Sequence, residues 1–289
     1  MHAKRGNAKP ERFEVKSMKV ALNGATTMNA DLETDIRAAS TAGFDYLEIW
    51  ASKLRTFLES RSTSDLSDLF VTHSLSPYSI NSIERITFRD VAGNRALLDQ
   101  CEELCRIAQA ILCPYVVVVP SPSPKDASRS DVIRESVGVL QELGCIAAQH
   151  GVALAFEFLG QPDCSVQTLA LADEIVRKVN RANVGLVIDS FHFYAGGSTI
   201  ESIEALDAET LFIFHINDAE DLPREQLEDR HRLLPGLGIL PLSKIIQALK
   251  RIGYNRVASV EIFRPEYWQR NPHELARDAH AAVRKALEV

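Results

Sequence analysis

The stretch Gly151-Val-Ala-Leu-Ala-Phe-Glu-Phe-Leu-Gly160 decides the fold class. It is a short apolar run bounded by glycines, which is typical of a strand covered on both faces, as parallel strands in α/β proteins are. One carboxylate, Glu157, lies near the carboxyl end of the run. Because an isolated carboxylate is costly to remove from water, the stretch predicts that other strands bring cations or hydrogen-bond donors to Glu157.

Outward from this stretch, strand-like runs alternate with segments of helical periodicity. Such alternation predicts a parallel sheet with helices packed around it. Asn94 and Asp131 are predicted to cap the N-termini of two of these helices. The predicted strands cover residues 19–23, 45–50, 77–81, 115–120, 152–158, 184–189, 211–216 and 256–262. The predicted helices cover 31–42, a broken pair over 54–71, 94–111, 130–150, 166–179, 200–206, 242–252 and 272–287.

These elements predict one α/β domain over residues 18–289, a single (β/α)8 TIM barrel, since the length is close to the ~250 residues usual for that fold. An open doubly wound sheet is the alternative, but the first loop, Asn23-Gly-Ala-Thr-Thr27, lacks the GxGxxG pattern of dinucleotide-binding sheets. Residues 1–17 are rich in Lys and Arg and have almost no apolar periodicity. They are predicted to be a disordered N-terminal extension, with a transit peptide as the alternative.

The composition narrows the classes of function. The 289 residues are 46% hydrophobic and 25% charged, as in ordinary globular proteins, and the formal net charge of -7 argues against general nucleic-acid binding. Five cysteines without CxxC spacing fit neither a disulfide framework nor a zinc ribbon, so reduced thiols are expected. With no apolar run near the ~20 residues that span a bilayer, we expect a cytoplasmic protein without a membrane or nucleic-acid partner. A homo-oligomer is compatible with the sequence.

Four residues with side chains that bind metals stand at four successive predicted strand ends: Glu157, Asp189, His215 and Glu261. In a barrel these ends share one face, where barrel enzymes place their chemistry. Three carboxylates and an imidazole suit one divalent cation such as Mn²⁺, Zn²⁺, Co²⁺ or Mg²⁺. Taken singly, each residue also has an ordinary explanation. Glu157 could belong to a buried ion pair and Asp189 could form a turn. His215 could be a core histidine, and Glu261 could pair with Arg264. Four together on consecutive strands favour a metal site.

Further polar residues surround this set. His192 and Arg232 could bind substrate oxygens, although a loop histidine and a solvated loop arginine are the ordinary alternatives. Glu48 and Asn81, at the ends of the second and third strands, could contact substrate hydroxyls or hold the barrel interior together. Asp218 could orient His215 from behind, as carboxylates often do for metal-binding histidines, or could be an exposed loop acid.

Six segments carry a resemblance to a known family: Asn-Gly-Ala-Thr-Thr at 23–27, Gly-Phe-Asp-Tyr-Leu-Glu-Ile at 43–49, Ala-Phe-Glu-Phe-Leu-Gly at 155–160, Val-Gly-Leu-Val-Ile-Asp-Ser-Phe-His-Phe at 184–193, His-Ile-Asn-Asp at 215–218 and Ser-Val-Glu-Ile-Phe-Arg-Pro-Glu-Tyr at 259–267. With them the chain from Met18 onward resembles the xylose-isomerase-like barrel superfamily of sugar isomerases and epimerases, and within it the 2-keto-myo-inositol (inosose) isomerase family. The resemblance implies that Glu157, Asp189, His215 and Glu261 are metal ligands. It also implies that His192 and Arg232 line the substrate pocket.

The expected activity is a metal-dependent isomerisation that moves a carbonyl to the adjacent carbon of a small keto-polyol through a cis-enediolate. Glu157 and Glu261 are the expected carriers of the transferred proton, in an order that the sequence leaves open. A ketohexose 3-epimerase, a hydroxypyruvate-type isomerase and a keto-acid dehydratase would use the same architecture. A metal-dependent DNA-repair phosphodiesterase would need more histidines, and a sugar-binding barrel without activity is the alternative from another class.

Overall fold

The computed structural model describes residues 17–289. Eight parallel strands close into a barrel in the order β1-β10-β7-β6-β5-β4-β3-β2, and β1 joins the ends by pairing with both β2 and β10. The predicted (β/α)8 barrel is therefore confirmed. The prediction for residues 1–17 lies, apart from Ser17, outside the described residues. The strands are β1 Lys19–Asn23, β2 Tyr46–Trp50, β3 Ser76–Ile83, β4 Tyr115–Val118, β5 Ala153–Glu157, β6 Val184–Asp189, β7 Leu211–Ile216 and β10 Val257–Val260, with a two-residue hairpin formed by β8 Asp218–Ala219 and β9 Arg232–Leu233.

Helices pack around the barrel between successive strands. The predicted broken pair after the second strand is present as two separate helices, and two short helices that periodicity did not indicate, α7 and α10, follow strand ends at the face that carries the candidate site. The helices are α1 Leu32–Ala42, α2 Ala51–Leu58, α3 Thr63–Thr72, α4 Val91–Ala110, α5 Arg129–Gln149, α6 Leu169–Val179, α7 Ser190–Ala195, α8 Ile200–Glu204, α9 Leu242–Arg251, α10 Pro265–Trp268 and α11 Pro272–Ala286. Within residues 17–289, none of them is long and apolar enough to cross a membrane.

Both predicted N-caps were wrong by one helical turn. Asp90, not Asn94, caps α4, and its carboxylate accepts a hydrogen bond from the backbone N–H of Gly93 at 2.7 Å. Ser128 caps α5, while Asp131 is the third residue of that helix and accepts from the Ser128 backbone N–H, which completes a capping box. In both helices a polar residue one turn upstream competed for the cap, and periodicity does not separate such neighbours.

The barrel interior is closed at the amino ends of its strands by four aromatic rings in contact at tilted angles, which we call the aromatic floor: Tyr46, Tyr78, Tyr115 and Phe212. Successive ring centroids in this order are 5.0, 5.2 and 5.0 Å apart. The Tyr78 hydroxyl donates to the backbone carbonyl of Phe212 at 3.1 Å, so the polar tip of this buried ring is satisfied. Bulky side chains thus fill the lower barrel.

Candidate active site

Four side chains converge at the carboxyl ends of the strands and form what we call the carboxylate–histidine cluster: Glu157, Asp189, His215 and Glu261. One potential ligand atom from each residue lies within 4.8 Å of those of the other three, and all four side chains are buried. Glu157 and Asp189 are the last residues of β5 and β6, His215 lies in β7, and Glu261 directly follows β10. These strands are consecutive neighbours in the barrel, which is why residues up to 104 positions apart in sequence, Glu157 and Glu261, come together.

Local structure fixes the orientation of Asp189. It is the N-cap of α7, and its Oδ1 accepts from the backbone N–H of His192 at 2.9 Å. Its Oδ2 accepts from Nδ2 of Asn217 at 2.8 Å and from Nη1 of Arg232 at 2.7 Å. Asp189 therefore has both roles: it forms the turn into α7, as the ordinary explanation held, and it belongs to the cluster. Asn217, which follows His215 by two residues in the sequence, is fully buried and was not predicted as a site residue.

Glu261 is held by donors from three other elements. Nδ2 of Asn81 donates to its Oε1 at 2.7 Å, Nδ2 of Asn23 donates to the same oxygen at 3.1 Å, and Nη1 of Arg232 donates to Oε2 at 3.1 Å. Asn23 was not predicted as a site residue, although its position as the last residue of β1 was the available signal. Arg264, offered as the ordinary partner of Glu261, instead pairs with Glu220 at 2.6 Å.

His215 is enclosed by carboxylates on both sides of its ring. Nδ1 lies 2.8 Å from Oε1 of Glu157 and 3.3 Å from Oε2 of Glu261, so this nitrogen faces the cluster. Nε2 faces the opposite way and lies 3.0 Å from Oε1 of Glu48, off the direction of a well-aligned hydrogen bond. Glu48 is completely buried beneath the histidine and does not line the cavity, so the structure shows the interior contact and not the expected approach to substrate hydroxyls.

The buried charges shift one another's pKa values. Burial raises the pKa of Glu157 to about 7, and Glu261 adds to this shift while His215 opposes it. Burial also acts to raise the pKa of Glu261, but His215 and Arg232 outweigh it and hold that pKa below its usual value. For His215 burial acts to lower the pKa, yet the surrounding carboxylates raise it well above its ordinary value. The cluster therefore has an excess of negative charge that attracts cations.

Arg232 and His192 form a fixed pair beside the cluster. Arg232 is completely buried, contrary to the solvated alternative, because the β8–β9 hairpin returns it over the barrel with Ala219 opposite it. Its Nη2 lies 3.0 Å from Nε2 of His192. A guanidinium can only donate, so Nε2 of His192 is the acceptor and the proton of the neutral ring is on Nδ1. That buried Nδ1–H has no hydrogen-bond partner among the described residues.

The expected role of Asp218 was wrong, as was its ordinary alternative. Asp218 is 2% exposed and does not bond to His215. Its carboxylate instead accepts from the backbone N–H groups of Ala219, Gly236 and Leu240 at 2.9, 3.0 and 2.8 Å. Asp218 therefore fixes the loop that follows Arg232, and its carboxylate occupies the backbone amides of Gly236 and Leu240 in that loop.

Gly160, the last residue of the stretch that decides the fold, has a role in placing His192. A Cβ at this position would lie 2.6 Å from the His192 carbonyl oxygen and 2.6 Å from the Gly196 backbone nitrogen. Only glycine permits this close approach between the loop after β5 and helix α7. Gly160 therefore lets helix α7, which carries His192, pack closely against the loop that follows β5.

A cavity of about 400 Å³ opens directly above the cluster. Its size lies within the range of roughly 300–1,000 Å³ that is usual for small-molecule sites. The rings of Trp50 and Phe263 meet edge to face at 5.5 Å on one wall. Polar groups make up much of the remaining lining. They include three of the predicted substrate-binding residues, Asn81, His192 and Arg232. The lining also includes Glu84, Arg85, Leu159, Gln161, Asp163, Cys164 and Asp229.

Residues 36–286 match the family model described as xylose isomerase-like TIM barrel. This chain belongs to that family. Among relatives in the family, an inosose isomerase of Bacillus velezensis is 40% identical over 264 residues, which is 91% of this chain and 94% of the relative. An inosose isomerase of Bacillus subtilis is also 40% identical over 264 residues, covering 91% of this chain and 95% of its own length.

The family's solved structures include an IOLI protein with a bound zinc atom at 1.8 Å resolution. It superposes on this chain with a TM-score of 0.91 at 38% sequence identity, covering 94% of this chain and 98% of that protein. The likeness extends over essentially the whole barrel.

Proposed function

We propose that this protein is a divalent-metal-dependent isomerase that moves the carbonyl of a 2-keto-myo-inositol-like keto-polyol to the adjacent carbon. The observation that carries the proposal is the cluster of Glu157, Asp189, His215 and Glu261, of which Glu157 and Glu261 line a cavity of about 400 Å³. The 40% identity to inosose isomerases over 91% of the chain supports the substrate class. Residues 18–289 constitute the catalytic domain in this proposal.

The donor set fits one divalent cation. Three carboxylates and one imidazole supply oxygen and nitrogen ligands of the kind that Mn²⁺, Zn²⁺, Co²⁺ and Mg²⁺ accept. Nδ1 of His215 already faces two of the three carboxylates, so all four residues present a ligand atom to one space. A cation bound there would polarise a carbonyl and its neighbouring hydroxyl and would stabilise negative charge on their oxygens. The zinc atom of the IOLI protein supports this assignment.

The two glutamates would carry the proton. One carboxylate of the pair Glu157 and Glu261 takes the proton from the carbon that bears the hydroxyl, which leaves a cis-enediolate. The same or the other carboxylate returns a proton to the former carbonyl carbon, while the hydroxyl proton passes between the two oxygens. No electrons leave the substrate, so no external oxidant is needed. Proton transfer of this kind contributes a rate factor of roughly 10² to 10⁴.

Neighbouring groups would bind and orient the substrate. The unpartnered Nδ1–H of His192 can donate to a substrate oxygen, and Asn81 places its amide at the same wall. The rings of Trp50 and Phe263 offer an apolar surface to the C–H groups of a polyol ring. The carboxylate of Asp218 accepts from the backbone amides of Gly236 and Leu240, so these two amides are not open to a substrate oxygen.

Proton NMR of the zinc- or manganese-loaded protein in D₂O tests the proposal. With 2-keto-myo-inositol we expect conversion to the ketone at the adjacent carbon, with deuterium entering next to the carbonyl. A panel of ketohexoses, hydroxypyruvate and a cyclic keto acid distinguishes the alternative activities. Exchange with a ketohexose alone would replace the proposed substrate. No exchange with any substrate, in a protein that binds the metal, would favour a sugar-binding barrel. The cytoplasmic location and a homo-oligomeric state stay predictions from the sequence.

A further inference from the structure

The two nitrogens of His215 face different environments. Nδ1 points to the cluster, 2.8 Å from Glu157 and 3.3 Å from Glu261. Nε2 points down the barrel, where Oε1 of Glu48 lies 3.0 Å away. If His215 binds a cation, geometry leaves only Nδ1 for that role. The histidine can then keep a proton only on Nε2, on the side of Glu48.

Glu48 is itself firmly held. The hydroxyl of Ser79 donates to its Oε2, and Nδ2 of Asn23 donates to its Oε1 at 3.3 Å. Its side chain has no solvent exposure. A carboxylate that receives two hydrogen bonds is stabilised in its ionised form, in which it can only accept. Its Oε1 lies 3.0 Å from Nε2 of His215, which brings the carboxylate into direct contact with the ring from the side opposite the cluster.

We infer that Glu48 is a positioning residue that holds the ring of His215 from beneath and so presents Nδ1 to the bound cation. The inference rests on the metal site of the proposed function. A carboxylate behind a histidine ligand raises the basicity of that ligand and fixes the orientation of its ring. Asp218, the acid expected from sequence to do this, is engaged with backbone amides instead. Glu48 is the residue that occupies the required place, on another strand.

Zinc affinity measured by competition with a chromogenic chelator tests this role without depending on turnover. Glu48→Gln removes the negative charge and nearly preserves the volume, and we expect it to bind Zn²⁺ about 10- to 100-fold more weakly than wild type. In ¹⁵N-histidine NMR of the zinc-loaded wild type, we expect His215 to appear as the Nε2–H tautomer with Nδ1 bound to metal. In Glu48→Gln we expect that Nε2–H signal to shift or broaden.

Asp35→Asn is the matched control, because Asp35 is also a fully buried carboxylate but pairs with Lys53 at 2.6 Å, outside the cluster. We expect it to lower the melting temperature and to leave zinc affinity at the wild-type value. Should Glu48→Gln fail to fold, Ser79→Ala loosens the same carboxylate and should weaken zinc binding roughly threefold. Equal zinc affinity in wild type and in the folded Glu48 or Ser79 variant would overturn the role of Glu48 alone. Absence of zinc binding by wild type would overturn the proposed metal site as well.

Discussion

The two ends of the barrel interior are built from the same strands and have opposite chemistry. Along β2, Tyr46 contributes to the aromatic floor, Glu48 lies beneath the cluster and Trp50 reaches the cavity wall. Residues two apart in a strand point to the same side, so this single strand spans both ends of the interior. The floor consists of aromatic rings in contact, whereas the upper end collects the carboxylate–histidine cluster together with Glu48, His192 and Arg232.

The difference shows which end of the barrel stabilises the folded protein and which end lowers its stability. Burying large rings in contact with one another stabilises the fold through apolar surface and aromatic contacts. Burying charges is unfavourable unless partners meet them, and removing one partner leaves the others uncompensated. Substitutions in the floor should therefore change stability without changing chemistry. Substitutions in the cluster should abolish metal binding or chemistry in a protein that stays folded.

The largest effect is expected from Glu261→Gln. This change keeps the shape of the side chain but removes a carboxylate that can bind the cation and carry the proton, so kcat should fall by at least roughly 10²- to 10⁴-fold. Far-UV circular dichroism and the melting temperature should show a folded barrel. Glu209→Gln, at an exposed surface pair with Arg256, is the control and should retain full activity. A Glu261→Gln variant with wild-type turnover would exclude the proposed mechanism.

The floor should respond in the opposite way. Phe212→Ala removes a ring that is 5% exposed and lies 5.0 Å from the ring of Tyr115, and it should lower the free energy of unfolding by about 3–5 kcal/mol. Urea unfolding measures this loss. At temperatures where the variant is folded, kcat should equal that of wild type. A drop in kcat comparable to that of Glu261→Gln would show that the two ends are not independent.

Metal removal should change the stability contributed by the upper end of the barrel and leave the contribution of the floor unchanged. A ligand that binds only the folded state stabilises it by about 2.7 kcal/mol at a concentration 100 times its Kd. We expect the wild-type melting temperature to fall when a chelator removes zinc. The melting temperature of Phe212→Ala should fall by the same amount. In Glu261→Gln the chelator should have little effect. A chelator effect of wild-type size in that variant would place the metal elsewhere.

The smallest effect is expected from Tyr78→Phe. It keeps the aromatic ring and removes only the hydroxyl that donates to the Phe212 carbonyl at 3.1 Å. Loss of one buried hydrogen bond should cost about 1 kcal/mol. Calorimetry would detect the lower melting temperature, and zinc affinity should not change. A larger loss, close to that of Phe212→Ala, would mean that the hydroxyl organises the floor beyond one bond.

Much of the fold and the core of the candidate site were predictable from sequence. Apolar runs bounded by glycines mark strands covered on both faces, and their alternation with helical segments indicates a parallel barrel. Since parallel strands align their carboxyl ends, a residue such as Glu157 or Asp189 at a strand end is placed by the fold itself. The convergence of the cluster therefore follows from periodicity and position, without knowledge of any loop.

The tertiary structure alone decided the surroundings of that cluster. Arg232 is buried because the β8–β9 hairpin turns back over the barrel, and Asp218 is engaged because the following loop brings its amides to that carboxylate. Glu48 lies beneath His215 and not at the cavity wall, since the depth of a side chain along the barrel depends on strand register. Loop paths and register arise from contacts between distant residues, which have no periodic signature in the chain. The sequence by itself determined which groups reach the upper end of the barrel, and the tertiary structure decided which of them face the cavity and which support the others from within.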